Sequence, residues 1–230
     1  MIMVGVLCEG QTEENMVNDF LAPELAAFGI CLVPTILMTR MPAGGPAGKG
    51  GVSKWAKIEK DLHKLLASTH WAAVTTLLDY YGLPQDSPGM SDRPSGSVVD
   101  KVTHVERRLV EHMGHPRFLP HVVLHETETW VFAAAEQLGD WADDPALAHE
   151  LKRQADQAGG PESVNDGPET APSKRILKLH PRYVKTQDGP VAVMDLGLAA
   201  LRDACPHFDE WIAKLLALTP PDSLKDSTAI

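Results

Sequence analysis

The sequence has no apolar run close to the ~20 residues that a membrane-spanning helix needs. It has only three cysteines, Cys8, Cys31 and Cys205, widely spaced and with no CxxC among them. An odd, dispersed set excludes a disulfide framework and a structural zinc site of the paired-cysteine type, and it fits a reducing cytoplasm. Each cysteine reads best as a small core residue. There is no HExxH, so the histidines at 104, 112, 115, 121 and 125 give no support to a zinc centre, and there is no GxSxG elbow. The glycine-rich stretch 42–51 is not a P-loop. GxxxxGK[ST] would place glycine at 43 and serine or threonine at 50, where the chain has Ala43 and Gly50. Positive charge is also short: 21 Lys and Arg against 31 Asp and Glu leave a net charge of −10, so no global field draws the chain onto nucleic acid. Metal-binding carboxylates can produce such a balance locally, so distribution carries more information than the sum. The N-terminal MIMVGVLCEG lacks a basic leader region and reads as a buried strand rather than a signal peptide. No internal repeat is present.

What remains is an ordinary globular composition, 43% hydrophobic and 23% charged, sufficient for one elaborated domain or two small ones. Residues 2–8 (IMVGVLC) form a nearly continuous apolar run, the pattern of a strand buried on both faces. Glu9-Gly10-Gln11 breaks it. Thr12 has N-cap chemistry, and Met16, Val17, Phe20, Leu21 and Leu25 follow at helical spacing, with Pro23 set to kink or divide the helix. Residues 30–38 predict a second strand, which Pro34 pushes to a sheet edge or a bulge. After the Gly/Pro-rich loop, Ser53 can cap a helix over 54–67. A third strand, 72–78, ends at Asp79, and a helix over about 98–112 follows. A fourth strand, 119–125, ends at Glu126-Thr127-Glu128.

This alternation predicts a four-stranded, mostly parallel sheet with helices on both faces. Ligands of such sheets bind beyond the carboxyl ends of the strands. Glu9, Asp79, Glu126 and Glu128 all fall there. Carboxylates from separate strand ends can converge on a hard divalent cation, Mg²⁺ or Mn²⁺. Glu126 and Glu128 point the same way if the segment is extended and diverge if helix starts at 127, which makes Glu126 the stronger candidate. Glu13, Glu14 and Glu136 read as helix-surface charge. Lys49, in the glycine-rich loop, is a candidate phosphate contact. So are Lys174 and Arg175 in SKRILKLHPRYVK, where Ser173 reads as a helix cap; cations in a first turn oppose the helix dipole unless an anion binds there. Residues 140–170 are acidic and turn-rich. Amphipathic helices are expected near 191–203 and 206–217, and a disordered tail after them. The predicted organisation is an α/β domain over 1–138, a helical extension packed on it over 139–218, and a tail over 219–230.

Taken together, CEGQTEE (8–14), the glycine-glycine loop leading to Trp55, LLDYYGLP (77–84), HETETWVFA (125–133), VNDGPETAPSKRI (164–176), YVK (183–185) and CPHFDEW (205–211) resemble the TOPRIM-like domain-of-unknown-function family DUF4276, in order over nearly the whole chain. The resemblance implies a TOPRIM fold related to topoisomerases, primases and OLD-type nucleases. In that pattern the first-strand glutamate, here Glu9, is acid/base or metal ligand, and a DxD pair holds Mg²⁺. Asp79 takes the first Asp position, and Tyr81 stands at the second. The resemblance also implies a neighbouring ATPase partner and a role in phage defence. The leading expectation is a Mg²⁺-dependent nuclease with Glu9, Asp79 and Glu126 catalytic and Glu128 a further ligand. Its alternative is a non-catalytic nucleotide-binding or regulatory subunit of an ATPase complex. A third reading is a phosphotransfer or nucleotidyl-hydrolysing enzyme. Expected partners are nucleic acid or nucleotide, with no membrane; oligomeric state is left open.

Overall fold

Side chains that alternate across an extended backbone explain how the sheet acquires two buried faces. A computed structural model describes residues 1–37, 54–165 and 170–219. Strand β1 (Ile2–Cys8) pairs in parallel with β2 (Ile30–Ile36), from Ile2 opposite Ile30 to Cys8 opposite Ile36. On its other side it pairs in parallel with β3 (Ala73–Asp79), from Val4 opposite Ala73 to Cys8 opposite Leu77. Val4, Val6, Cys8, Ala73 and Leu77 point into one core, whereas Leu7, Val74 and Leu78 point into the other. The central strands are therefore mostly apolar, as a doubly covered parallel sheet requires, with the buried Thr75 and Thr76 as the polar exceptions in β3. Pro34, which has no N–H to give, lies in β2, the outer strand of the order β2-β1-β3-β4.

The fourth strand differs from the continuous 119–125 predicted. It is broken into β4 (Phe118–Leu119) and β5 (Val122–Val123), both parallel to β3. Pro120 interrupts the ladder because it lacks a donor. Thr76 fills the gap: its hydroxyl accepts from the His121 N–H at 3.0 Å and donates to the His121 carbonyl at 2.8 Å.

One face of the sheet carries α3 (Trp55–Ala67) and α4 (Val98–Met113). Helix α4 starts at a Ser97/Asp100 capping box and stops at Gly114, whose φ of 56° is left-handed. Arg117 closes the end of α3, donating to the carbonyls of Leu66, Ser68 and Trp71. The opposite face carries α1 (Gln11–Asn15), a π-helical turn (Met16–Leu21) and α2 (Ala22–Ala26). The division expected at Pro23 takes the form of this π turn, where the Ala22 N–H reaches back to the Val17 carbonyl.

The rest of the chain is helical: α5 (Glu128–Ala133), α6 (Ala135–Trp141), α7 (Pro145–Ala158), α8 (Pro172–Leu179), α9 (Asp188–Leu196), α10 (Leu198–Ala204) and α11 (Pro206–Leu216). The stretch read as turn-rich contains α7, capped by Asp144 with Pro145 in its first turn. The single helix expected over 191–203 is divided at Gly197, at φ 84°. Leu151, Ile176, Phe208, Trp211 and Ile212 share one continuous core with Val4, Val6 and Leu25 of the α/β part. The expected tail begins with Thr219, which is buried; residues 220–230 lie outside the described residues.

Candidate functional site: a buried carboxylate cluster at the strand ends

Three strand ends and two helix starts deliver acids to one place. Glu9 follows β1 directly. Its Oε2 accepts the Asp79 N–H at 3.3 Å, which ties the end of β1 to the end of β3. Gly82 makes room for it: a Cβ at that position would stand 2.6 Å from the Glu9 carboxyl carbon, so any side chain there would push Glu9 aside. Asp79 Oδ1 in turn accepts the Thr127 N–H at 3.1 Å and binds the segment leaving the fourth strand. Helix α5 begins at Glu128, with Thr127 as its cap residue. The Glu126 charge nonetheless opposes the ionisation of Glu128, and Lys185 feels both carboxylates.

Glu13 completes the set. It was read as surface charge, but it is buried, because its Oε2 turns back to accept the Gly10 N–H at 2.8 Å and caps the start of α1. Lys185 is the counter-charge. Its Nζ lies 3.0 Å from Glu128 Oε2. The segment bearing it is held against the π-helical side by Asn15, whose amide donates to the Thr186 carbonyl at 2.9 Å.

The electrostatics follow from burial. Desolvation, then the Glu13 charge, raises Glu9 to about 7. Desolvation raises Glu128 to about 7, with Lys185 opposing. Asp79 is pushed well up by desolvation and by the charges of Glu13, Glu9 and Glu128, and Glu13 is itself raised by desolvation. Lys185 is shifted upward: burial works against its charge, but Glu128, Glu126 and Asp79 outweigh it. One ammonium thus faces five carboxyl groups that cannot all ionise together. Glu128 Oε1 and the Tyr183 hydroxyl are buried here without a hydrogen-bond partner.

A strained turn supports the wall of the site. His125 sits at φ 67°, unusual for a residue with a Cβ, and is buried. The Tyr81 hydroxyl contacts its Nδ1 at 3.1 Å, and the Tyr81 N–H donates to its carbonyl at 3.3 Å. Tyr81 therefore braces the turn that presents Glu126 and Glu128.

The structure brings Glu9, Asp79, Glu126 and Glu128 together and adds Glu13 and Lys185. Lys49 lies outside the described residues. At the start of α8, the cap is Ala171 rather than Ser173, and the Ser173 N–H donates to Glu126 Oε2 at 3.1 Å, so a carboxylate occupies that donor. Arg175 bonds to the Thr170 carbonyl at 2.8 Å and to Gln154 Oε1 at 3.2 Å, while Lys174 is exposed beside them. Glu13 was findable from its place three residues after Gly10, where a glutamate side chain can fold back onto the N–H of the helix start. Lys185 was marked only by its position in YVK.

Among the described residues, no helix is long and apolar enough to cross a membrane. No curated protein and no solved structure matches the chain. A family does match, over residues 8–216: the chain belongs to DUF4276, a domain of unknown function.

Proposed function

We propose that, in this member of DUF4276, the carboxylate cluster is a Mg²⁺ or Mn²⁺ site and that the protein is a TOPRIM-type metal-dependent nuclease. One observation carries the reading: Glu9, Glu13, Asp79, Glu126 and Glu128 converge with a single lysine, and burial and mutual repulsion hold Glu9 and Glu128 near neutral pKa. A fold that needed only stability would gain nothing from five adjacent acids. An all-oxygen donor set suits a hard divalent cation, and the orphaned Glu128 Oε1 is a donor atom in search of one.

Asp79, Glu126 and Glu128 would hold the cation together with Glu9. When bound, such a cation lowers the pKa of a coordinated water and neutralises charge on a phosphate. Glu9, titrating at about 7, can take up or release a proton at neutral pH. Tyr81 and Gly82 position Glu126, Glu128 and Glu9. Lys174, exposed at the start of α8 and next to Ser173, whose N–H meets Glu126, would contact a phosphate of the substrate. The resemblance to TOPRIM nucleases supports extending the reading to a bacterial defence system with an ATPase partner.

Replacing Glu9 by Gln should abolish Mg²⁺-dependent cleavage of single- or double-stranded nucleic acid, and undiminished cleavage would refute the role. A second reading is favoured by Lys185, a cation already within the cluster, and by Tyr81 in place of an acid. On that reading the cleft is a non-catalytic nucleotide-binding or ATPase-docking surface. Calorimetric titration of the parent with Mg²⁺ and Mn²⁺ separates the two, since absence of binding points to the non-catalytic module.

A further inference from the structure

On the far side of the fourth strand, three side chains from three elements meet in the core. Glu106 comes from α4, His121 from the break between β4 and β5, and His207 from the first turn of α11. All are buried, with 9%, 1% and 6% of their surface exposed. Each offers one donor atom, and the three atoms lie within 4.8 Å of one another. His207 Nε2 is 3.3 Å from Glu106 Oε1, and His121 Nδ1 is 3.7 Å from the same oxygen. Donors arranged tetrahedrally around a zinc-type ion, at ~2.0–2.1 Å from it, stand about 3.3 Å apart. Two edges of this triangle approach that spacing already.

His121 forms no side-chain hydrogen bond. Its Nε2 has no partner, and its Nδ1 stands beyond hydrogen-bond range of Glu106. An imidazole buried in this way is costly unless something takes its lone pair. The backbones that carry the three side chains are fixed: Glu106 Oε1 accepts the Val122 backbone N–H at 2.8 Å, and Glu162 accepts the backbone N–H groups of His207 and Phe208, each at 3.0 Å. A cavity of about 240 Å³, lined by Gly159, Gly160, Glu162, His207 and Glu210, leads to His207.

We propose that Glu106, His121 and His207 bind one transition-metal cation of the zinc class, as a clamp joining α4, the fourth strand and α11. Its mixed nitrogen and oxygen donors set it apart from the all-oxygen cluster at the strand ends, whose proper ligand is a hard cation. The clamp lies over the ladder break and beside Trp211, which stacks on His121 at 4.4 Å and donates its Nε1 to Thr75 Oγ1 at 2.9 Å.

The test is Co²⁺ and Zn²⁺ binding by the full chain after chelator treatment, in the parent, Glu9→Gln and His207→Gln forms. The expected result is one equivalent of Co²⁺ with the strong visible absorption of a low-coordinate site, quenched Trp fluorescence and a higher Tm. Glu9→Gln should retain all three, and His207→Gln should bind at least tenfold more weakly. If His207→Gln does not fold, X-ray absorption at the zinc edge of the loaded parent decides: two imidazole ligands support the site, and fewer overturn it. A folded, metal-stripped parent that takes up no Co²⁺ overturns the proposal. So does uptake that Glu9→Gln loses and His207→Gln keeps, which would place the ion at the carboxylate cluster.

Discussion

Glu128 offers the sharpest test of the strand-end cluster. It is 1% exposed and titrates at about 7 in the folded chain, against an ordinary 4.5. A carboxyl whose folded pKa is raised stabilises the fold while it is protonated, and that contribution disappears as pH rises from the unfolded value through the folded one. Integrating between those two values, Glu128 makes the metal-free fold roughly 2–3 kcal/mol less stable at pH 8 than at pH 5. Other buried groups titrate in the same window with the opposite sign. His125, depressed to about 4 by burial, contributes stability that is lost as pH falls below its unfolded range. The parent's profile alone is therefore a mixture. The comparison with Glu128→Gln removes the shared part: its stability relative to the parent should climb by roughly 2–3 kcal/mol between pH 5 and pH 8. The assay is urea unfolding in EDTA at several pH values. Parallel profiles for the two proteins would refute the electrostatic account. On the proposed reading Mg²⁺ should reverse the ordering by binding the ionised carboxylates: at pH 8 it should raise the parent's midpoint and leave Glu128→Gln nearly unchanged.

Two substitutions probe how the site and its sheet are held. Gly82→Ala would intrude on the Glu9 carboxylate, so cation affinity measured by calorimetry should fall at least tenfold while the fold loses on the order of 1–3 kcal/mol; unaltered affinity would show that the placement of Glu9 is immaterial. Thr76→Val leaves the His121 N–H and carbonyl buried without their partner and should cost on the order of 3 kcal/mol in urea unfolding, a figure that a loss under about 1 kcal/mol would contradict.

The parallel sheet and its two covered faces were legible because they depend on short-range pattern. Apolar runs at 2–8 and 72–78 and the helices between them leave little choice of sheet. The departures occur where a local rule was outweighed. At Pro120, the absent N–H would have ended a strand, but the Thr76 side chain carries the register across. At 145–158, acidic content suggested turns. Asp144, Pro145 and the i, i+4, i+8 spacing of Leu147, Leu151 and Ala155 specify a helix whose acids face solvent.

The site was legible only in its strand-borne half. Glu9, Asp79 and Glu126 could be placed because a strand end fixes where a residue lies. Glu13 and Lys185 could not, because their side chains reach the cluster by long-range packing. Glu13 folds back on Gly10, and Lys185 arrives from a segment that Asn15 holds through the Thr186 carbonyl. These two residues change the chemistry. Without them the strand ends present three or four acids that a solvated loop could tolerate. With them, Glu13, buried like Glu128, raises Glu9 and Asp79, and among the described residues one ammonium, that of Lys185, stands against the group. On the proposed reading, Glu126 and Glu128 supply from the next strand end the oxygen donors that Tyr81 does not, and Tyr81 holds the turn that carries them. Tyr81→Phe should then weaken cation binding by loosening Glu126 and Glu128 while leaving every carboxylate in place. Cation affinity equal to the parent's in that variant would break the link between Tyr81 and the site.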